Sequence, residues 1–165
     1  MTGSDAAVLA AGRGVRHRWR PGEACGTAPT CSNADGDFLY SFDQLSEVTE
    51  AFLTATGVTR FLLSIFEFGA PTDYRIATRQ PDWILGVIAQ NGDADEADLG
   101  PDMQPAMLLP WGGNDQFFTE AGARANLADV PDTELHLLDT GHFAFNDQVG
   151  TIAELIGEFL ARHTG

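Results

Sequence analysis

Three short stretches of the chain contain residue types that could act together on a substrate. The segment SIFEFGAP places an acid, Glu67, directly after a run of apolar residues and just before a glycine. The segment WGGND ends on a second acid, Asp115, and TGHF contains a late histidine, His142. An ionised carboxylate can attack carbon and form an ester, and a histidine oriented by another carboxylate can activate the water that hydrolyses this ester. The three residue types together could therefore carry out a covalent, two-step hydrolysis.

Each of the three residues also has a structural interpretation. Glu67 is equally typical of an acid at the start of a helix, where the helix dipole favours negative charge. Asp115 ends a Gly-Gly-Asn-Asp turn signal, and a lone late histidine is more often a hydrogen-bonded structural residue than a base. The ordered set is more informative than any one member.

The hydrophobic pattern predicts the elements that position these residues. The predicted first helix is capped by Ser41 and ends at Gly57. Its inner face should contain Leu45, Val48, Phe52 and Ala55, and that of the last helix Ile152, Leu155, Ile156 and Phe159. Apolar runs predict strands at 61–66, 84–89, 106–111 and 134–138, and further helices are expected at 70–79, 119–128 and 147–162. This alternation predicts an α/β fold with a mostly parallel sheet, in which the candidate residues follow the strands at one edge.

The chain changes character near Asp37. Residues 12–36 contain four arginines, few aliphatic residues and no helical or strand period. Such a composition cannot bury enough apolar surface to order itself. The sequence therefore predicts a poorly ordered N-terminal segment at 1–36 and one domain at 37–165.

Charge and composition narrow the classes of partner. The formal net charge is -15, and all nine basic residues are arginine. Such a surface repels nucleic acid and anionic membranes, so neither is expected as a partner. No apolar run is long enough to span a membrane and no basic region precedes the first apolar patch, so we expect a cytoplasmic protein. The acidic loop 91–104 does not match the ligand spacing of a calcium-binding EF-hand, and no metal or other cofactor is predicted.

Residues 40–165 resemble the α/β-hydrolase superfamily, in its aspartate-nucleophile branch of haloalkane dehalogenases and epoxide hydrolases. The segments that carry the resemblance are YSFDQLSEVTEAFLTATGV, FLLSIFEFGAPTDYRIATRQP, ILGVIAQNG, LLPWGGNDQFFTEAGARANLADVPDTELHLLDTGHFAF and IAELIGEFL. The resemblance implies a sheet with helices on both faces. It also implies that Glu67 occupies the nucleophile position on a sharp strand-to-helix turn, with Asp115 as triad acid and His142 as triad base. Phe68 matches the position whose backbone N–H contributes to the oxyanion hole.

The chain also departs from this family. The family nucleophile is aspartate, whereas Glu67 is one methylene longer. The family's early strands and its His-Gly-x-Pro turn have no match upstream of Asp37, and only a short acidic loop stands where the cap is inserted. The sequence thus predicts a partial α/β-hydrolase fold that lacks the early strands and the cap.

Two functions follow from this comparison. The first is a hydrolase of small apolar substrates with a covalent carboxylate mechanism. The second is a catalytically inactive, truncated remnant that self-associates through surfaces left uncovered. A serine hydrolase using Ser64 is excluded, because this residue lies inside the predicted strand, three positions before Glu67.

Overall fold

The computed structural model describes residues 40–92 and 104–163, together with the backbone of residues 7–10. Within this part of the chain, five strands form one parallel sheet in the order β1-β2-β3-β4-β5. The strands are β1 (Ala7–Ala10), β2 (Phe61–Glu67), β3 (Ile84–Gly92), β4 (Met107–Gly112) and β5 (Thr133–Leu138). The α-helices are α1 (Phe42–Thr56), α2 (Ala70–Arg79), α3 (Glu120–Asp129), α4 (Ala144–Asp147) and α5 (Val149–His163), with a short 3-10 helix at Pro81–Trp83.

The four predicted strands correspond to β2 through β5, whereas β1 was not predicted. This strand pairs with β2 in parallel, from Ala7 opposite Phe61 to Ala10 opposite Ser64. It lies inside the segment 1–36 that the sequence assigned to a poorly ordered region; residues 11–39 are outside the described residues. Four apolar residues are too few to show a strand period, so the pattern gave no reason to place a strand there.

The predicted ends of α1 are confirmed. Ser41 Oγ accepts a hydrogen bond from the Gln44 N–H over 3.2 Å and so caps the first turn. Gly57 ends the helix with φ 73°, and its N–H donates to the carbonyls of Leu53 and Thr54. Both ends follow from local chemistry, which is why the sequence could locate them.

The predicted inner face of α1 is wrong. Val48 and Phe52 are exposed, and the buried residues of the helix are Ser46 and Leu53. The helix packs on α2 partly through polar contacts, because Arg79 Nη2 donates to Ser46 Oγ over 2.8 Å. Hydrophobic periodicity considers only apolar residues, so it could not indicate that the buried face of this helix contains a serine.

Two apolar layers cover the sheet, one on each face. Phe61, Leu63 and Ile65 of β2 belong to the larger core, which also contains buried residues of α1, α2 and α3. Leu62, which alternates with them, belongs to a smaller core under α5.

The inner face predicted for the last helix is confirmed by this second core. Phe159 and Ile152 are buried, and Leu155 and Ile156 pack against the same cluster. The predicted α/β class, with helices on both faces of a parallel sheet, is thus confirmed. None of the described helices combines the length and the apolar character needed to cross a bilayer.

Candidate active site

Glu67 occupies a strained turn between a strand and a helix. It is the last residue of β2 and has φ 54°, a backbone conformation that residues other than glycine rarely adopt. The N–H of Gly69 donates to the Phe66 carbonyl over 3.1 Å and closes the turn. Helix α2 then begins at Ala70, as predicted, and Pro71 lies in its first turn. This geometry leaves the Glu67 side chain 46% exposed at the carboxyl end of the sheet.

The loops that follow β4 and β5 are held together by their backbones. The Gly113 N–H donates to the Leu138 carbonyl over 2.9 Å, and the Asn114 N–H donates to the Thr140 carbonyl over 3.0 Å. A Cβ atom on Gly112 would overlap the carbonyl oxygen of Gly141. These contacts bring the segments containing Asp115 and His142 side by side.

Asp115 and His142 form a hydrogen-bonded pair. His142 Nδ1 lies 2.8 Å from Asp115 Oδ2, and the Asp115 side chain is fully buried. Burial by itself raises the pKa of Asp115, but hydrogen bonds from His142, from the Phe117 and Phe118 N–H groups and from Asn91 outweigh it and lower the pKa below its usual range. Asp115 is therefore ionised at neutral pH.

The ionised carboxylate fixes the tautomer of His142. A carboxylate can only accept hydrogen bonds, so His142 Nδ1 must carry the proton that is shared with Asp115. In the neutral ring this leaves Nε2 as a proton acceptor, and it lies 3.9 Å from Glu67 Oε1. That gap is too long for a direct hydrogen bond but allows one water molecule to contact both atoms.

A buried asparagine that the sequence analysis missed supports this pair. Asn91, near the end of β3, has φ 41° and no exposed surface. Its Nδ2 donates to Asp115 Oδ2 over 2.8 Å, and its Oδ1 accepts from the Gly112 N–H over 2.9 Å. An Asn-Gly pair after a predicted buried strand indicates left-handed backbone. This pair was the sequence signal from which the special position of Asn91 could have been recognised.

Aromatic rings surround His142. The Phe118 ring stacks on the imidazole with centroids 5.5 Å apart and 21° between planes. Phe143 and Phe66 contact it at 4.8 Å and 4.9 Å, and Phe117 at 6.3 Å. The sequence analysis did not single out these phenylalanines, although Phe66 and Phe143 lie inside two of the three motifs and Phe117 and Phe118 closely follow the third.

Phe68 and Ser64 lie on either side of Glu67. Phe68 directly follows it on the turn, and its exposed ring contacts Phe118 edge-on at 6.1 Å. As the sequence predicted, Ser64 lies inside a strand. In β2 it is paired with Ile88 of β3. No cluster of three or more His, Cys, Asp or Glu side chains suited to a metal ion occurs in the described ranges.

The chain is weakly similar in sequence to a known hydrolase. No protein-family model matches the chain. An uncharacterized hydrolase of Saccharomyces cerevisiae, YNR064C, is 23% identical, and the match covers 77% of this chain and 75% of the yeast protein.

Solved structures show the same fold. A predicted CIB-like hydrolase from Thermoplasma acidophilum superposes with a TM-score of 0.66 and 20% identity. The match covers 73% of this chain and only 60% of that protein. An epoxide hydrolase from Bacillus megaterium superposes with a TM-score of 0.66 and 13% identity, covering 74% of this chain and 76% of the other. The described part of the chain therefore has a partial α/β-hydrolase fold.

Proposed function

We propose that this protein is a hydrolase that forms a covalent ester on Glu67. The observation that supports this best is the approach of three groups from separate strands. Glu67 Oε1 lies 3.9 Å from His142 Nε2, and His142 Nδ1 lies 2.8 Å from Asp115 Oδ2. Nucleophile, base and orienting acid are the groups that a two-step covalent hydrolysis needs.

In the first step, a carboxylate oxygen of Glu67 attacks an electrophilic carbon of a small apolar substrate such as a haloalkane or an epoxide. The carbon–halogen or carbon–oxygen bond breaks, and its electron pair leaves with the halide or with the epoxide oxygen, which then takes a proton from solvent. An alkyl ester on Glu67 results. The rings around His142 provide apolar surface for the alkyl part of the substrate.

In the second step, His142 Nε2 takes a proton from a water molecule, and the resulting hydroxide attacks the carbonyl carbon of the ester. The backbone N–H of Phe68 is assigned to the oxyanion of the tetrahedral intermediate. Collapse of this intermediate breaks the bond between the carbonyl carbon and the alkyl oxygen, and the leaving oxygen takes the proton from His142 to give the alcohol. The Glu67 carboxylic acid then releases its proton to solvent and is a carboxylate again. Asp115 stabilises the imidazolium between these two proton transfers.

The alternative is an inactive remnant of the fold that self-associates. Two sequence features favour it, namely the glutamate at the aspartate position and the short connection between Gly92 and Met107 where the family inserts a cap. A displacement of about 1 Å in a reacting group can lower a rate by about 10²-fold. The exposed rings of α1 and of the site supply surfaces for self-association.

Mass spectrometry of the intact protein after incubation with haloalkanes and epoxides tests the proposal. In the His142→Phe variant the second step is blocked, so one alkyl group should accumulate and map to the peptide containing Glu67. The Glu67→Gln variant should remain unmodified. Glu47→Gln, at an exposed position of α1, should behave like the native chain and controls for alkylation of surface carboxylates.

The same experiment can also contradict the proposal. If folded His142→Phe protein acquires no adduct from any compound, the hydrolase proposal is wrong. Sedimentation at several protein concentrations then tests the remnant, which should form oligomers.

A further inference from the structure

Three exposed phenylalanines, Phe68, Phe117 and Phe143, lie near Glu67 and His142. We call the surface that these five residues form the mouth of the site. Phe68, Phe117 and Phe143 have 59%, 84% and 52% of their surface accessible. Phe117 and Phe143 contact the His142 ring, and Phe68 contacts Phe118, which stacks on it. Exposed apolar residues that cluster at one place commonly mark a binding surface.

The three exposed rings meet their neighbours edge-on and do not form a single stack. The planes of Phe117 and Phe143 are inclined to the imidazole by 72° and 76°, and Phe68 is inclined to Phe118 by 77°. None of the three exposed rings is therefore stacked face to face on these neighbours. Their faces remain accessible to a bound group.

The same mouth contains a negative charge. The Glu67 carboxylate is 46% exposed and lies 3.9 Å from the His142 ring around which the phenylalanines gather. Four arginines pair with carboxylates of the helices and of β5: Arg75 with Asp43, Arg79 with Glu50, Arg124 with Glu120 and Arg162 with Glu134. The net charge of -15 adds a negative field around the whole chain.

We propose that this mouth binds an organic cation of the quaternary-ammonium type. The negative faces of aromatic rings attract a cation, and clustered aromatic side chains recognise methylated ammonium groups in proteins. Glu67 acts as the counter-ion. A quaternary ammonium has no N–H groups that need hydrogen-bond acceptors, so phenylalanine side chains are a suitable surface for it. The inference concerns binding alone and holds whether or not Glu67 forms an ester.

Calorimetric titration of the full chain with choline and with 3,3-dimethyl-1-butanol tests the inference. The two compounds share shape and hydroxyl group, but a carbon replaces the charged nitrogen in the second. We expect choline to bind about 4- to 25-fold more tightly, because exposed aromatic rings and a partly exposed carboxylate each favour a cation by about 2- to 5-fold. Equal affinities would indicate an ordinary apolar pocket and overturn the inference, as would the absence of binding by either compound.

Three variants locate the binding site. Glu67→Gln should weaken choline binding by about 2- to 5-fold and leave the neutral compound unaffected, and Phe117→Leu should weaken choline binding by a similar factor. Phe52→Leu removes a ring with the same exposed fraction as Phe68, 59%, but on α1, and should not change the affinity. If Phe52→Leu weakens choline binding as much as Phe117→Leu, the cation binds the acidic surface in general and the inference is wrong.

Because these titrations follow binding and the mass spectra follow ester formation, the two proposals fail independently. Choline affinity without any adduct would leave a cation-binding protein. An adduct without preference for choline would leave a hydrolase with an apolar site.

Discussion

Asn91 Nδ2 lies 2.8 Å from Asp115 Oδ2, the same oxygen that His142 Nδ1 contacts. A neutral donor from β3 thus shares one carboxylate oxygen with the imidazole. The Phe117 N–H donates to the other oxygen over 2.8 Å. Because a buried carboxylate stays ionised only when hydrogen bonds replace its hydration, Asn91 helps to keep Asp115 charged and the His142 ring oriented.

Removal of this amide should destabilise the fold. Asn91→Ala deletes the donor to Asp115 and leaves the buried Gly112 N–H without its acceptor. We expect the free energy of unfolding to fall by about 2 to 3 kcal/mol, as measured by urea denaturation. Asn114→Ala is the matched control, because Asn114 donates to Asp139 at an exposed position, and it should change stability by about 0.5 kcal/mol or less. Equal losses for the two variants would contradict the prediction.

The sequence predicted those features that depend on neighbours along the chain. The ends of α1, the start of α2 and four strands follow from caps, a proline and apolar runs. The sequence also predicted that Glu67, Asp115 and His142 would follow strands at one edge, and the structure brings them together there.

Features that depend on contacts between distant segments were not predictable in this way. Asn91 is held in the site by a hydrogen bond from the Gly112 N–H of β4. Ser46 of α1 faces inward, where it accepts a hydrogen bond from Arg79 of α2. The rings around His142 come from β2 and from the loops after β4 and β5. A single sequence has no local signal for such pairings, because they are set by the order of strands in the sheet.

The close approach of Gly112 to Gly141 predicts strong intolerance of a side chain. A methyl group at Gly112 would overlap the Gly141 carbonyl oxygen, so the loops that carry Asp115 and His142 must separate. Gly112→Ala should lower the free energy of unfolding by about 3 kcal/mol. At Gly113, one residue later, the nearest atom to an added Cβ is the Leu138 carbonyl oxygen at 3.4 Å, so Gly113→Ala should be tolerated. Similar melting temperatures for the two variants would show that the loops are free to separate.

In the mechanism we propose, loss of the Asp115 charge should act on the second chemical step alone. In Asp115→Asn the amide no longer requires Nδ1 of His142 to carry the proton, so the tautomer that leaves Nε2 as base is lost. We expect hydrolysis of the Glu67 ester to slow by roughly 10³- to 10⁴-fold while ester formation keeps its rate. Rapid quenching followed by mass spectrometry separates the steps. A slowed first step with an unchanged second step would contradict this role.

Asp73 should make the stability of the fold depend on pH. It lies buried in α2, its Oδ2 has no hydrogen-bond partner among the described residues, and burial raises its pKa to about 7. Between about pH 4 and pH 7 the folded chain therefore binds a proton at this position that the unfolded chain has lost. By linkage, the contribution of Asp73 to stability falls as pH rises through this window and stays constant above it.

The variant Asp73→Asn removes this titration. Its stability relative to the native chain should rise by roughly 4 kcal/mol between pH 4 and pH 8, because a shift of about three pKa units corresponds to that free energy. Urea denaturation at the two pH values measures the change, and comparison of variant with native protein cancels the titration of all other groups. Asp82→Asn makes the same chemical change at an exposed position and should differ from the native chain by about 0.5 kcal/mol or less at both pH values. A difference between Asp73→Asn and native protein that stays constant with pH would mean that the carboxyl group of Asp73 is ionised in the folded chain throughout this range.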